Sequence, residues 1–269
     1  MSELAGSCIL ITRMADDNGV LQERIEAAGG MSLVIPMIRV APPADPSALE
    51  RARSSLASFD WIALTSRHAA RALLAGVVRE GERPRIAAVG GATAAEAEAL
   101  GWRADLVAEG KGAGELAGGL AIAMPEEQLR DARILHPCSN LAPPTLARAL
   151  AETGATVEPV EAYRTLPPGD AERQDLLAHL EWINGAVFAS PSAVKHFLQV
   201  VGSTNPSAAT TSPRGGGPPS ACAWACAAIG ATTRAALEEA GFAHTTAAAR
   251  PEADALFVAL TESWKRSQA

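Results

Sequence analysis

The stretch DWIALTSRHAARAL (60–73) is answered 124 residues later by NGAVFASPSAVKHF (184–197), with Ser66 and Ser190 in register. Both read as a short apolar run, a hydroxylated corner and then a helical pattern. Working outward, Cys8-Ile9-Leu10-Ile11-Thr12-Arg13 is matched by Arg133-Ile134-Leu135-His136-Pro137-Cys138. LQERIEAAGGMSLVIPMIRV (21–40) is matched by LARALAETGATVEPVEAYRT (146–165), with Gly29 and Gly154 offset by 125. IAAVGGATAAEAEALG (86–101) is matched by CAAIGATTRAALEEAG (226–241), where the offset rises to 140. The jump from 124 to 140 locates an insertion, and STNPSAATTSPRGGGPPS (203–220) supplies it. With almost nothing to bury, that segment is expected to be a disordered surface loop. The rest is one half written twice in the same order.

Each copy has the same grammar. Apolar or β-branched runs (Ile9–Ile11, Trp61–Leu64, Ile86–Val89, Ala186–Phe188, Ala227–Ile229) meet a small or hydroxylated cluster, then apolar residues spaced at three and four. Gly29, Gly101, Gly154 and Gly241 stand where helices should stop on a left-handed residue. Strand, turn and helix in repetition predict parallel sheets flanked by helices, a doubly wound α/β architecture.

The 269 residues are 48% apolar but only 4% aromatic, and 23 basic against 30 acidic side chains leave a net charge of −7. An acidic chain lacks the basic stripe that nucleic acid requires. No apolar run approaches the ~18 residues of a membrane span. The N-terminus carries no secretion signal pattern, and the four cysteines have no disulfide-framework spacing, so a cytoplasmic setting is expected. The AVGGAT turn at 88–93 lacks the dinucleotide fingerprint, and no P-loop is present. Gly110–Gly114 reads as a flexible loop before a helix, and Cys222 and Cys226 read as packing thiols. The scattered histidines, His136 near Cys138 included, do not supply the three or four convergent ligands of a metal site.

In such sheets, ligands bind beyond the carboxyl ends of the strands. The clusters there are Thr12-Arg13, Thr65-Ser66-Arg67, Gly90-Gly91-Ala92-Thr93, Ser139-Asn140, Ser190-Pro191-Ser192 and Gly230-Ala231-Thr232-Thr233. Each offers hydroxyls or closely approachable backbone, and each opens a helix whose first N–H groups attract anions. Any one of them is explained by helix capping alone. Together they are expected to line a ligand cleft between the two copies.

These residues resemble the uroporphyrinogen-III synthase family over nearly the whole chain. The carriers are Ile11-Thr12-Arg13, Thr65-Ser66, Ala88-Val89-Gly90 with Thr93, and Leu150–Gly154 leading to Val160-Glu161-Ala162-Tyr163-Arg164-Thr165. The second half adds Phe188-Ala189-Ser190-Pro191-Ser192-Ala193-Val194 and Ala228-Ile229-Gly230-Ala231-Thr232-Thr233 with Ala236 and Gly241. Arg67 departs from the proline that many relatives carry there.

The resemblance implies two doubly wound, flavodoxin- or Rossmann-like domains in pseudo-repeat, joined by a two-stranded β connector. Domain one would take 1–38 and 166–269, including the 203–220 loop. Domain two would take 41–162, and the connector strands 35–40 and 159–165. The implied reaction closes hydroxymethylbilane, a linear tetrapyrrole with eight carboxylates, to uroporphyrinogen III. Water is lost and the terminal pyrrole is inverted, with no cofactor and no metal. Tyr163, the sole tyrosine, would act as the catalytic proton donor. Thr12, Arg13, Ser66, Gly91, Thr93, Ser139, Asn140, Arg164, Ser190, Ser192, Thr232 and Thr233 would bind and orient the substrate. Arg67 and Arg71 would add local positive charge. A monomer is expected, in transient contact with hydroxymethylbilane synthase. The alternative is a non-catalytic bilobal ligand sensor, disfavoured because no DNA-binding segment follows Trp264.

Overall fold

The computed structural model describes residues 3–14, 18–78, 84–109, 113–151, 153–202, 223–250 and 252–268. The insertion 203–220, Gly110–Gly112 and Cys222 lie outside the described residues. Along the chain run β1 (Cys8–Ile11), α1 (Gly19–Ala27), β2 (Met31–Val34), β3 (Arg39–Ala41), α2 (Pro46–Ser54), β4 (Trp61–Leu64), α3 (Arg67–Leu74), β5 (Arg85–Val89) and α4 (Gly90–Ala99). There follow β6 (Leu106–Ala108), α5 (Ala113–Ala123), α6 (Glu126–Arg130), β7 (Arg133–Ser139), α7 (Thr145–Ala151), β8 (Thr156–Leu166) and α8 (Asp170–His179). The last are β9 (Gly185–Phe188), α9 (Pro191–Gly202), β10 (Ala225–Ala228), α10 (Ala231–Glu239), β11 (His244–Ala247) and α11 (Ala253–Ser267).

The chain divides into two compact units, Met1–Arg39 with Leu166–Ala269, and Val40–Thr165. In unit one the strand order is β11-β10-β9-β1-β2, and in unit two β3-β8-β7-β4-β5-β6. With β3 set aside, each unit places its strands in one pattern: β2 beside β1 beside β9, and β8 beside β7 beside β4. β1 pairs parallel with β2 and β9, and β7 pairs parallel with β8 and β4. Parallel strands buried on both faces need continuous apolar runs rather than alternation. β1, β4, β9 and β10 are accordingly buried at every position.

Each sheet separates two apolar layers. In unit two, α2, α3 and α4 cover one face, with Leu73, Leu74 and Ala97 against Ile62, Leu64 and Ile86. On the other face α5 and α7 bring Leu116, Leu120, Leu146 and Leu150 against Trp61 and Ile134. In unit one, α9 and α10 pack on one face and α1 and α11 on the other. Gly29, Gly101, Gly154 and Gly241 all have positive φ, between 81° and 88°, as their positions after α1, α4, α7 and α10 require.

Two expected boundaries differ. The apolar run at 227–229 begins earlier as a strand, with β10 at Ala225–Ala228. The expected connector strand 35–40 is not continuous: β2 ends at Val34 and strand resumes only at Arg39. Pro36 carries no N–H for a ladder. Its neighbours instead tie down the end of β1, Ile35 N–H donating to Ile11 O (3.1 Å) and Met37 N–H to Thr12 O (3.1 Å). The stretch expected at 159–165 is part of the longer β8, which lies between β3 and β7 in the six-stranded sheet.

Candidate active site

Adjacent strands whose helices leave to opposite faces create a crevice at their carboxyl ends, the usual ligand position in open α/β sheets. In unit two this point lies between β7 and β4, because α7 and α3 belong to opposite apolar layers. Ser66 closes the turn out of β4 as N-cap of α3, its Oγ accepting from Ala69 N–H at 3.1 Å. Tyr163 Oη lies 3.0 Å from the same Oγ, and His68 packs its ring against Tyr163 with centroids 5.5 Å apart. The only tyrosine in the chain therefore rests its hydroxyl on a helix N-terminus, the positive end of the dipole.

An irregularity in β8 sets this placement. Cys138 pairs with Glu161, yet Ser139 pairs with Tyr163, so Ala162 is an extra residue opposite the Cys138/Ser139 step. A bulge of this kind re-aims the side chains beyond it. After the bulge, Asn140 holds the end of β8 twice: its N–H donates to Tyr163 O (3.2 Å) and its Oδ1 accepts from Thr165 N–H (2.8 Å). Ser139 Oγ accepts from Leu141 N–H at 3.2 Å in the turn that follows β7.

Behind the corner, His136 Nε2 lies 3.4 Å from Thr65 Oγ1. Burial pushes its imidazole pKa down from 6.5 to about 4, so it is neutral at pH 7. The unfolded chain protonates His136 below its ordinary value while the folded chain resists. Stability is therefore lost as pH falls from about 6.5 toward 4, by on the order of 3 kcal/mol for a shift of this size. Urea unfolding of wild type and His136→Gln should show a stability gap at pH 7 that narrows by roughly that amount near pH 4. A gap independent of pH would show that His136 is not held neutral.

The next corner, at β5, has no side-chain cap: α4 follows Val89 directly, with Gly90 at φ 70° and Gly91 exposed in its first turn. Its first N–H groups suit an anion. Arg71 is committed elsewhere, meeting Glu96 through two hydrogen bonds of 2.9 and 3.0 Å. Hydrogen bonding from Arg71 and the nearby Arg71, Arg67 and His68 charges lower the Glu96 carboxyl. Among the described residues Arg164 Nε has no hydrogen-bond partner, and Glu161 Oε1 lies 3.8 Å from it.

Unit one repeats these devices. Ser190 caps α9 as Ser66 caps α3, its Oγ accepting from Ala193 N–H at 3.1 Å. α10 follows Gly230 without a side-chain cap, as α4 follows Val89. Arg13 and Ser192 are half-buried and Thr232 is exposed. Three of the expected binding residues turn inward. Thr12 is 2% exposed and its hydroxyl donates to Val187 O at 2.8 Å; Thr93 and Thr233 are 6% and 1% exposed. The helical turn explains the last two: both stand in the first turn of a helix on the face packed against its sheet. All three side chains are buried in this structure.

Two features escaped the sequence reading. His68 stands two residues after Ser66, but its tilted ring contact with Tyr163 depends on a residue 95 positions away. The bulge at Ala162 has no local mark. Among the described residues no cluster of three or more His, Cys, Asp or Glu could hold a metal ion. No helix among them is long and apolar enough to cross a membrane.

Comparison with known proteins adds to this geometry. The family described as uroporphyrinogen-III synthase HemD matches residues 19–258. A uroporphyrinogen-III synthase of Synechococcus elongatus is 28% identical over 210 residues, 74% of this chain and 76% of that protein. Among solved structures, a mutant uroporphyrinogen III synthase from the extremely thermophilic bacterium Thermus thermophilus superposes with a TM-score of 0.59 at 18% identity. The match covers 97% of this chain and 98% of the other. Uroporphyrinogen-III synthetase from Helicobacter pylori gives 0.57 at 15% identity over 94% and 97%. At these identities the structures speak to the fold, an α/β architecture of parallel sheets and helices.

Proposed function

The chain belongs to the uroporphyrinogen-III synthase family, enzymes that cyclise hydroxymethylbilane, and from there we propose how its own residues carry the reaction. The supporting observation is Tyr163 Oη, 3.0 Å from Ser66 Oγ at the head of α3. Ser66 accepts the Ala69 N–H and turns its own hydroxyl proton to Tyr163 Oη. The phenol proton then points outward, to the departing hydroxymethyl oxygen of the substrate. As that C–O bond breaks, Tyr163 donates its proton and water leaves. The pyrrole nitrogen supplies the electron pair, giving an azafulvene. The terminal ring attacks through its substituted carbon, the spiro intermediate fragments, and the ring recloses turned over. The proton lost from the reclosing ring carbon balances the one spent on water. No cofactor enters these steps.

The uninverted closure runs spontaneously from the same substrate, so the protein must select a conformation as well as speed a step. Holding a flexible chain in one reactive geometry contributes on the order of 7–11 kcal/mol at best. Eight carboxylates meet a protein of net charge −7, so local partners must bind them. The open N-termini of α4 at Gly91 and of α10 at Thr232 fit this need, as do Ser139, Arg164, Arg13, Ser190 and Ser192. The finer architecture belongs to the same proposal: two pseudo-repeated, flavodoxin-like halves, with β3 and β8 at the crossings of the chain. So do a monomeric, cytoplasmic enzyme and a brief contact with hydroxymethylbilane synthase that delivers a short-lived substrate.

The test is product identity. Purified protein given hydroxymethylbilane should yield the type III isomer; a non-catalytic sensor would leave only spontaneous type I.

A further inference from the structure

We infer that Asn140 is the positioning residue for Tyr163, acting through the backbone of β8 and not as a substrate ligand. The inference rests on the role of Tyr163 proposed above. The β7–β8 ladder runs in register from Arg133↔Thr156 to Cys138↔Glu161, then skips Ala162 and resumes as Ser139↔Tyr163. Past that point β7 ends at Ser139, while β8 continues to Leu166. The last bond of the ladder is Asn140 N–H to Tyr163 O (3.2 Å), and beyond it the backbone N–H of Thr165 needs another acceptor. The Asn140 side chain supplies it, its Oδ1 accepting from Thr165 N–H at 2.8 Å.

The backbone N–H of Thr165 requires an acceptor, which commits the amide oxygen of Asn140 to that side. Asn140 itself is held at the start of the turn in which Leu141 N–H and Ala142 N–H both bond back to Ser139. The consequence is a rigid staple across Tyr163, Arg164 and Thr165. It fixes where the Tyr163 ring leaves the backbone and so whether its hydroxyl reaches Ser66, 97 residues earlier. The contacts of Asn140 are with the β8 backbone, and its effect on the phenol passes through that strand.

Because Tyr163 is the only tyrosine, protein grown with 3-fluorotyrosine gives one ¹⁹F resonance that reports this ring without any assay of activity. Asn140→Ala should shift or broaden that line and reduce kcat by about 10- to 100-fold with little change in KM, the scale of a misplacement near 1 Å. Asn140→Asp keeps an acceptor for Thr165 N–H and should restore most of kcat and the original line. Asn140→Gln, one methylene longer, tests the same point if the alanine variant does not fold, and should also move the line. In a Tyr163→Phe background, Asn140→Ala should add less than about twofold to the loss of kcat, because residues acting as one unit are not additive.

An unchanged ¹⁹F line, a change confined to KM, or a full additional loss in the Tyr163→Phe background would each overturn the inference. Wild-type protein that makes no type III isomer would instead sink the functional reading of Tyr163, leaving the ¹⁹F result to decide the staple alone.

Discussion

Replacing Tyr163 by phenylalanine should lower the rate of type III formation by about 10²-fold, the lower end of what a positioned general acid contributes. The substitution removes one oxygen, and the ring retains its place against His68. What disappears is the group that lies 3.0 Å from Ser66 Oγ and offers a proton to the leaving hydroxyl. KM should change little, because the carboxylate contacts are made by other corners. The product ratio should also move: spontaneous closure continues at its own rate, so type I rises as a share of product. Chromatographic separation of the oxidised isomers over a substrate series measures both effects. Full type III turnover by Tyr163→Phe would remove the proton-donor role while leaving family membership untouched. Losses at the binding corners should be smaller and graded, since many contacts share eight carboxylates.

The second large effect concerns stability. Phe197 is fully buried in α9, its ring 5.6 Å from Phe188, 5.5 Å from Trp224 and 6.3 Å from Phe242. In a chain only 4% aromatic, this cluster carries an unusual share of the large apolar area of unit one. Phe197→Ala removes those contacts and leaves a cavity that helices and sheet cannot fully close, which costs about 3–5 kcal/mol. Urea unfolding should show a transition assigned to unit one with its midpoint lowered by at least about 1 M. The transition of unit two should hold, because the two units have separate cores. A loss below about 1 kcal/mol would show that the cluster repacks. Ser190 caps the same helix, so the variant should weaken that corner as well.

The doubled order of strand, corner and helix was readable because each part obeys a local rule. Ser66 and Ser190 cap their helices as the two aligned segments predict, and four glycines take the left-handed conformation that stops a helix. What escaped depends on distant partners. A threonine at a strand end reads as an open hydroxyl, yet Thr12 spends its hydroxyl on Val187, 175 positions away. Arg71 reads as charge for a substrate, but Glu96 on the neighbouring helix takes it. The bulge at Ala162 is a mismatch between two strands and leaves no trace in either alone. Pro36 could have been read as a break in the first connector strand, since its missing N–H forbids an unbroken ladder.

The most direct test is to titrate ¹⁵N-labelled protein with uroporphyrin III, the stable oxidised form of the product, and follow backbone amides. The expected result is saturable shifts at the carboxyl ends of the strands: Gly91, Ser139 and Arg164 in unit two, and Ser192 and Thr232 in unit one. Amides at the opposite ends, Trp61, Arg85 and Arg133, should stay still. Shifts confined to those amino-terminal ends, or no saturable response at Gly91 and Thr232, would contradict the binding of a polyanionic pyrrole chain by helix-opening corners.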